Sequence, residues 1–577
     1  MTNDRQPADS YDVAILGGGL AGLTLGLQLK QQRPQTSVCI AERRRGPAPE
    51  AAFKVGESTV EVSSHYFGEV LGLKEHLERD EIRKFGLRWW FPADDNSDLS
   101  QRIERGINRP LDHPSYQLDR GRFENFLADQ CLAAGVDLVD DCRVLDVDVA
   151  ADPHVVTVRR GGEGGEESVV NARWVVDAAG RAFILKRKLG LLEENDHGVN
   201  SSWFRLAGGL DIEEWVDPDD DEFFDRMSER GLRQFSTNHL CGEGYWVWLI
   251  PLSSGPISIG ICADPRSHPW ERINTLEGAL DWIREHEPQL GASLDGRRDQ
   301  VEDFLKVEHF SYGCKQEFSG SDRWCLVGEA GAFLDPFYSP GSDFIAISNT
   351  LSADLITRDL DGEDVVARAE AHDELYLSTY RLALTQYEGQ YEFWGNPLVM
   401  TVKICANNIL YWGTVCLLFF HGKYTDVDFM AAVRPDLERI WSITRVLEAM
   451  YREWHGLEQR EWRRAIVPTH AFPGMFQRHL DMGGGFDEET LKGKLAETAD
   501  MMEALAVLAF HRAATNLGDA APGADEKINP YAVSLSPDRW EADGMLNGEG
   551  MSLAEARETD AAGLANLYME AVAQPVS

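Results

Sequence analysis

The stretch YDVAILGGGLAGLTLGLQLK, residues 11 to 30, constrains the fold more than any other part of the chain. YDVAIL is an unbroken apolar run of strand length, the pattern of a strand buried on both faces. A glycine run follows at once, and a helical run begins inside it. A second strand, SVCIAE (37 to 42), ends on an acid. Strand, G-x-G-x-x-G, helix, strand and acid together make a dinucleotide cradle. Gly17 takes the tight turn, and Gly19 lets the backbone approach a pyrophosphate. Gly22 lets the helix pack on the strand, and the helix N-terminus faces the phosphates. Glu42 is placed to accept from a ribose 2′-OH, which suits FAD or NAD and disfavours the 2′-phosphate of NADP.

Size and charge bound the rest. A chain of 577 residues exceeds one small core, and 43% apolar with 26% charged residues is a globular composition. A net charge of −40 repels phosphate backbones and anionic lipid, which argues against nucleic-acid and membrane partners. Nine singly scattered cysteines, without a CxxC pair, read as reduced thiols. With no apolar leader in MTNDRQPADS, a cytoplasmic protein is expected. ILYWGTVCLLFF (409 to 420) is too short to span a bilayer and reads as a buried helix. No metal-ligand spacing, nucleophile elbow or internal repeat is visible. His65, His113 and His239 read as ordinary histidines.

Three more stretches decide between the two cofactors. YQLDRGRFENFL (116 to 127) begins a helix that bears an arginine. RWVVDAAGR (173 to 181) is a buried strand running into a small-residue turn. WCLVGEAGAFLDP (324 to 336) is a buried strand, an acid and Asp335-Pro336. With the N-terminal fingerprint, their order resembles that of the FAD contacts in p-hydroxybenzoate hydroxylase-like flavoproteins. The resemblance implies a Rossmann-like α/β FAD-binding domain with an antiparallel-sheet substrate lobe. It places Arg120 near the nucleotide end of FAD, Gly180 beside the cofactor and Gly328 near the ribityl and pyrophosphate region. Asp335 joins the cofactor-binding set. Glu329 stands where that family carries aspartate.

The alternating segments of residues 200 to 320, GYWVWLIPL, PISIGICAD and FSYGCKQEF, suit the antiparallel sheet. In GYWVWLIP, alternation puts Trp246 and Trp248 on one strand face. WxWxIP (Trp246, Trp248, Ile250, Pro251) resembles the signature of flavin-dependent halogenases, with Tyr245 in place of the usual glycine. FLDPFYSPG matches a second signature of that family through Phe333, Pro336, Ser339 and Gly341. VGEST (55 to 59) resembles its flavin-side loop, which puts Ser58 against the cofactor. Lys84, in RKFGLRWWF, matches its essential lysine. The matches cover about residues 11 to 380.

The resemblance implies that reduced FAD and O2 form a flavin hydroperoxide. Chloride or bromide attacks it to give hypohalous acid, which Lys84 passes to a separate substrate. Lys84, Trp246, Trp248 and Ser339 are then the catalytic candidates, with the tryptophan pair walling flavin from substrate. Halide is expected on backbone N–H groups of Gly341 and Ser342, because Pro340 has none. Tyr338 stands where free-tryptophan halogenases carry glutamate, which argues against tryptophan. An electron-rich phenol, pyrrole or indole is expected, free or tethered to a carrier protein. With one dinucleotide fingerprint, a separate flavin reductase is the expected partner. The alternatives are an aromatic monooxygenase, an isoprenoid ene-reductase of the same fold, and a non-catalytic FAD-binding interaction protein. Residues 1 to 10 read as a disordered tail and 381 to 577 as a mostly helical region that lids the substrate pocket or scaffolds it. DMGGGF (481 to 486) reads as a joint between helices.

Overall fold

The computed structural model describes residues 8–50, 55–458, 460–559 and 574–575 of the chain. Most of the expected N-terminal tail lies outside them. The strand Ser10–Leu16 runs parallel to Val38–Ala41 on one side and to Glu166–Asp177 on the other. Asp137–Val139 and Trp324–Leu326 extend this sheet outward, again in parallel. The helix Leu20–Gln32 follows the first strand, and its buried residues, including Leu23, Leu25, Leu27 and Leu29, pack against it. This is the doubly wound core that the first forty residues predict. An antiparallel hairpin, Cys142–Asp148 with His154–Arg160, hangs on the outer end of Glu166–Asp177.

The second sheet has eight strands. In spatial order they are Leu305–Val307, Asn200–Leu206, Ile257–Ala263, Tyr245–Pro251, Thr237–Gly242, Leu87–Phe91, Ile103–Gly106 and Ala465–Pro468. It is antiparallel through the 200s, as expected. Two joins are parallel: Leu87–Phe91 to Thr237–Gly242, and Ala465–Pro468 to Ile103–Gly106. FSYGCKQEF departs from expectation. Tyr312–Cys314 pairs with Leu192–Glu194 in a separate two-stranded sheet, and Phe318–Ser319 pairs with Trp324–Leu326 in the first sheet. Alternation reports one buried face; it does not choose the sheet that supplies the partner.

Both faces of Tyr245–Pro251 are buried. Trp246, Trp248 and Ile250 join the main core, which runs on into the C-terminal helices. Tyr245, Val247 and Leu249 pack in a second core with Leu276, Leu280, Trp282 and Ile283 of the helix Leu276–His286. Room for Trp248 comes from Gly260, its cross-strand partner. A Cβ at Gly260 would lie 2.0 Å from the indole.

Pro397–Leu410, Val427–Leu457 and Glu488–Ala514 are the three longest helices among the described residues of the C-terminal region. Pro397 opens the first of them, and the Asn396 side chain caps it by accepting from Leu398 and Val399 N–H. Across Pro397–Phe420 the chain is apolar and long enough to cross a membrane, yet 83% of its most apolar window is buried, as in a core helix. A π-helical segment, Tyr411–Cys416, lies within it. Such bulges turn side chains out of helical register and occur often at functional sites.

Candidate active site

A cleft of about 940 Å³ lies at the C-terminal ends of the parallel strands, lined by Gly17, Gly19, Glu42, Gly180 and Glu329 among others. That size is at the upper end for cofactor sites, roughly 300–1,000 Å³. The glycines differ in what they face. A Cβ on Gly22 would meet Gly17 O at 2.0 Å, whereas one on Gly19 would meet nothing within 4 Å. The backbone at Gly19 thus opens onto space at the start of a 13-residue helix, where free N–H groups favour an anion. Glu42 folds over the turn, its carboxylate accepting from Gly18 N–H at 2.8 Å and Arg44 N–H at 2.9 Å. The residues present fit FAD. Gly22→Val should push the helix off the strand and weaken FAD binding at least about tenfold, on the order of the 1–3 kcal/mol that overpacking costs. Titration of FAD absorbance against the variant checks this.

Toward the second sheet the cleft meets a cavity of about 100 Å³. Ser58, Trp246, Trp248, Gly328, Asp335, Ser339, Gly341 and Ser342 line it. Arg120 borders both spaces, and its guanidinium donates to Val55 O at 2.7 Å and to Glu124 at 2.7 Å. It therefore ties the Val55–Gly56 backbone down where the two spaces meet. Gly328 takes a φ of +58°, which an L side chain rarely adopts. Asp335 differs most from expectation. Its fully buried carboxylate accepts from Phe337 N–H at 2.9 Å, Tyr391 Oη at 2.5 Å and His197 Nε2 at 2.9 Å. These internal donors occupy the carboxylate in holding the turn.

Gly341 begins a 20-residue helix whose N-cap is Pro340. The N–H groups of Gly341 and Ser342 lie in its first turn, where no intrahelical partner exists. A Cβ on Gly341 would meet nothing within 4 Å. Ser339, at φ +59°, turns its hydroxyl back to donate to Ser58 Oγ at 2.9 Å.

Lys84 lies buried at the end of the short strand Ile82–Lys84, paired with Ser115. Its Nζ donates to Ser58 Oγ at 2.8 Å and to Thr59 O at 2.6 Å. Ser58 thus accepts from both Lys84 and Ser339, which leaves its own hydrogen for Thr237 Oγ1 at 2.8 Å. One hydroxyl joins the lysine to the turn that bears the candidate halide donors. Burial pushes the Lys84 ammonium down to about 7, while the Glu61 and Asp343 carboxylates pull the other way. Burial likewise raises Asp343 to about 6, and raises Glu61. Neither acid was singled out in the sequence. Glu61 stands two residues after VGEST and Asp343 two after Gly341, and only the fold brings them to Lys84.

Lys84, Glu61 and Asp343 face a separate pocket of about 150 Å³. Trp89, Tyr338, Tyr411, Trp412, Tyr424 and Trp441 give it an aromatic wall, and Asn407 adds a polar group. Tyr411 and Trp412 come from the π-helical segment. Pro340 and Phe344 border both this pocket and the smaller cofactor-side cavity. They form the partition, and Ser58 joins it from the cofactor side through its bond to Lys84. Trp246 and Trp248 line only the cofactor side, with ring centroids 5.7 Å apart, and Trp246 Nε1 donates to Tyr391 Oη at 2.9 Å. Strand alternation aims both rings at the cofactor side, so they back that cavity and do not stand between the two spaces. His239 beneath them is fully buried, and burial lowers it to about 3, so the ring is neutral. Among the described residues, no group of three or more His, Cys, Asp or Glu could hold a metal ion.

The FAD binding domain family matches residues 10–255. A flavin-dependent halogenase of Dictyostelium discoideum is 26% identical over 448 residues, covering 73% of this chain and 72% of that protein. A 1H-pyrrole-2-carbonyl-[peptidyl-carrier protein] chlorinase of Pseudomonas fluorescens is 25% identical, covering 57% of this chain and 72% of that protein. Among solved structures, halogenase PltM in complex with phloroglucinol and FAD superposes with a TM-score of 0.60 at 17% identity, covering 86% of this chain and 96% of that one. CmlS, a flavin-dependent halogenase, gives 0.51 at 21% identity over 76% of this chain and 73% of that one. An FAD cradle, a buried lysine and a separate aromatic pocket thus coincide in an FAD-binding enzyme that is similar to proteins named as flavin-dependent halogenases.

Proposed function

We propose that the protein halogenates a single-ring, electron-rich aromatic of the phenol or pyrrole type, with Lys84 delivering hypohalous acid. The observation that carries this is the position of Lys84: buried, bonded through Ser58 to the Ser339 turn, and lining an aromatic pocket beyond the partition. The pocket volume, about 150 Å³, supports a single ring, because an engineered cavity of that size accommodates benzene. Reduced FAD and O2, bound in the cleft, supply the oxidation that turns halide into hypohalous acid. The chain's own residues do the rest. Gly341 and Ser342 N–H groups hold the halide at the helix start. Pro340, Phe344 and Ser58 keep substrate from the cofactor. The Lys84 ammonium hydrogen-bonds the hypohalous acid and polarises its O–X bond. A separate flavin reductase delivers the reduced cofactor, since the chain carries one dinucleotide fingerprint.

A carrier-tethered pyrrole is the second reading, favoured by curated relatives named as acting on pyrrole-2-carbonyl carrier proteins. The test is turnover with FAD, a flavin reductase, NADH, O2 and bromide against free phenols and pyrroles and a carrier-loaded pyrrole. Mass spectrometry would read the bromine isotope doublet. A doublet on free rings is expected. Hydroxylation without bromide would instead mark a monooxygenase.

The rate should also depend on Lys84 ionisation. Because burial lowers Lys84 to about 7, its charge is present below that pH and lost above it. The high-pH limb of kcat for bromination should therefore fall as pH rises through about 7. A rate that climbs steadily through this range would overturn the ammonium role and favour a haloamine.

A further inference from the structure

We propose that Glu61 is the proton acceptor for the substrate's O–H or N–H, held in place from behind by His479. This rests on the halogenase reading and names the chemical requirement its substrate must meet: an ionisable hydrogen on or next to the ring. The side chain of Glu61 is buried and borders the same pocket as Lys84. Two carboxylates face the lysine, and their surroundings separate their roles. Asp343 has both oxygens engaged: Oδ1 accepts from Ser63 N–H at 2.8 Å and Oδ2 from Tyr411 Oη at 2.5 Å. It is locked by the wall. Glu61 is held instead by its own N–H and by Trp412, itself a lining residue of the pocket.

His479 stands 3.7 Å from Glu61 Oε1 through Nδ1, just beyond hydrogen-bond reach, and is fully buried. Its Nε2 accepts from His113 N–H at 3.4 Å, so in the neutral ring the hydrogen sits on Nδ1 and points at Glu61. That Nδ1 has no other partner. Burial and the neighbouring His113 and His470 keep His479 neutral, well below its usual range. It is a positioning residue that can close on Glu61 as charge redistributes. The groups facing Glu61 are thus Lys84, Asp343, His479, Tyr411, Cys416 and the Trp412 side chain.

The step balances with hypohalous acid as the sole oxidant. Glu61 takes the phenol proton, and the O–H pair stays on oxygen as phenolate. The ortho or para carbon attacks the halogen, the C–X bond forms, and O–X breaks. Hydroxide leaves with the electron pair and takes a proton from the Lys84 ammonium to become water. The ring C–H proton then passes to the neutral lysine as aromaticity returns. Glu61 gives its proton back to the phenolate. Phenol and hypohalous acid become halophenol and water, and both side chains are reset.

Resorcinol and its dimethyl ether test this, since they share a ring and only one has a proton to lose. Full-length holoprotein should bind resorcinol at least about tenfold more tightly than the ether, and Glu61→Gln should erase that preference. In turnover, Glu61→Gln should cut bromination of resorcinol about 100-fold, and that of the ether by a much smaller factor, through the lost support of the Lys84 charge alone. Glu61→Asp, which keeps a carboxylate, should restore part of both. A general structural role would lower both substrates together. The proposal is overturned if wild type shows no binding preference, including no binding, or if Glu61→Gln keeps it. A wild-type protein with the preference but no brominated product would sink the halogenase reading and leave Glu61 as the proton acceptor.

Discussion

Lys84→Ala is expected to lower halogenation about 100- to 1,000-fold, with FAD affinity unchanged. The magnitude is that of removing one preorganised donor from a dry site. Lys84 lines the aromatic pocket and does not border the FAD cleft, so the cofactor should not register its loss. Nor should the fold. Deleting one member of a buried charge cluster usually destabilises, because an uncompensated charge remains. Here the partners are carboxyls that burial already pushes up, Asp343 to about 6, and Glu61 is raised as well. Without the ammonium they take up protons and become neutral. The measurement is brominated product per FAD-loaded protein, beside a thermal melt. Retention of activity within tenfold of wild type would remove Lys84 from the chemistry.

Glu104→Ala should cost roughly 3–5 kcal/mol of stability, the range for breaking a buried pair from one side. Glu104 is fully buried between two arginines. Arg233 donates to it through Nε at 2.9 Å and Nη2 at 3.0 Å, and Arg88 donates to it from the neighbouring strand. Burial pushes the Glu104 carboxyl up, but Arg233 and Arg88 outweigh it and hold the carboxyl below the usual range. Removing it leaves two guanidiniums in the core. Unlike the carboxyls around Lys84, arginine does not shed its proton to escape. Arg88 lies between Lys84 and Trp89, so the damage reaches the pocket wall. Urea unfolding of wild type and variant measures the loss. A change below 1 kcal/mol would mean that Glu213, 3.3 Å from Arg233, already compensates the cluster.

The FAD cradle was legible because its chemistry is local. Gly17, Gly19 and Gly22 lie within six residues, and the turn they make needs no distant partner. The tryptophan pair was legible as one strand face, since alternation is a backbone property. Its position was not. The rings back the cofactor-side cavity, while Pro340 and Phe344 form the partition. Asp335 read as a cofactor contact because it sits in the right motif, yet His197 and Tyr391, remote in sequence, claim its carboxylate.

By itself the sequence determined the doubly wound core and the glycine turn that fits FAD, while Lys84 was singled out only through the resemblance of RKFGLRWWF to a family motif. The core and the turn are written in contiguous residues whose spacing matches a backbone period or a turn. Only the tertiary structure decided what surrounds that lysine. Glu61, Asp343 and Tyr411, which line its pocket, and His479 behind Glu61 come from four separate parts of the chain, and they meet only when the C-terminal helices pack into the main core. Burial shifts the ionisation of Lys84 and its neighbours, and burial is a property of the packed whole that no short stretch of sequence encodes.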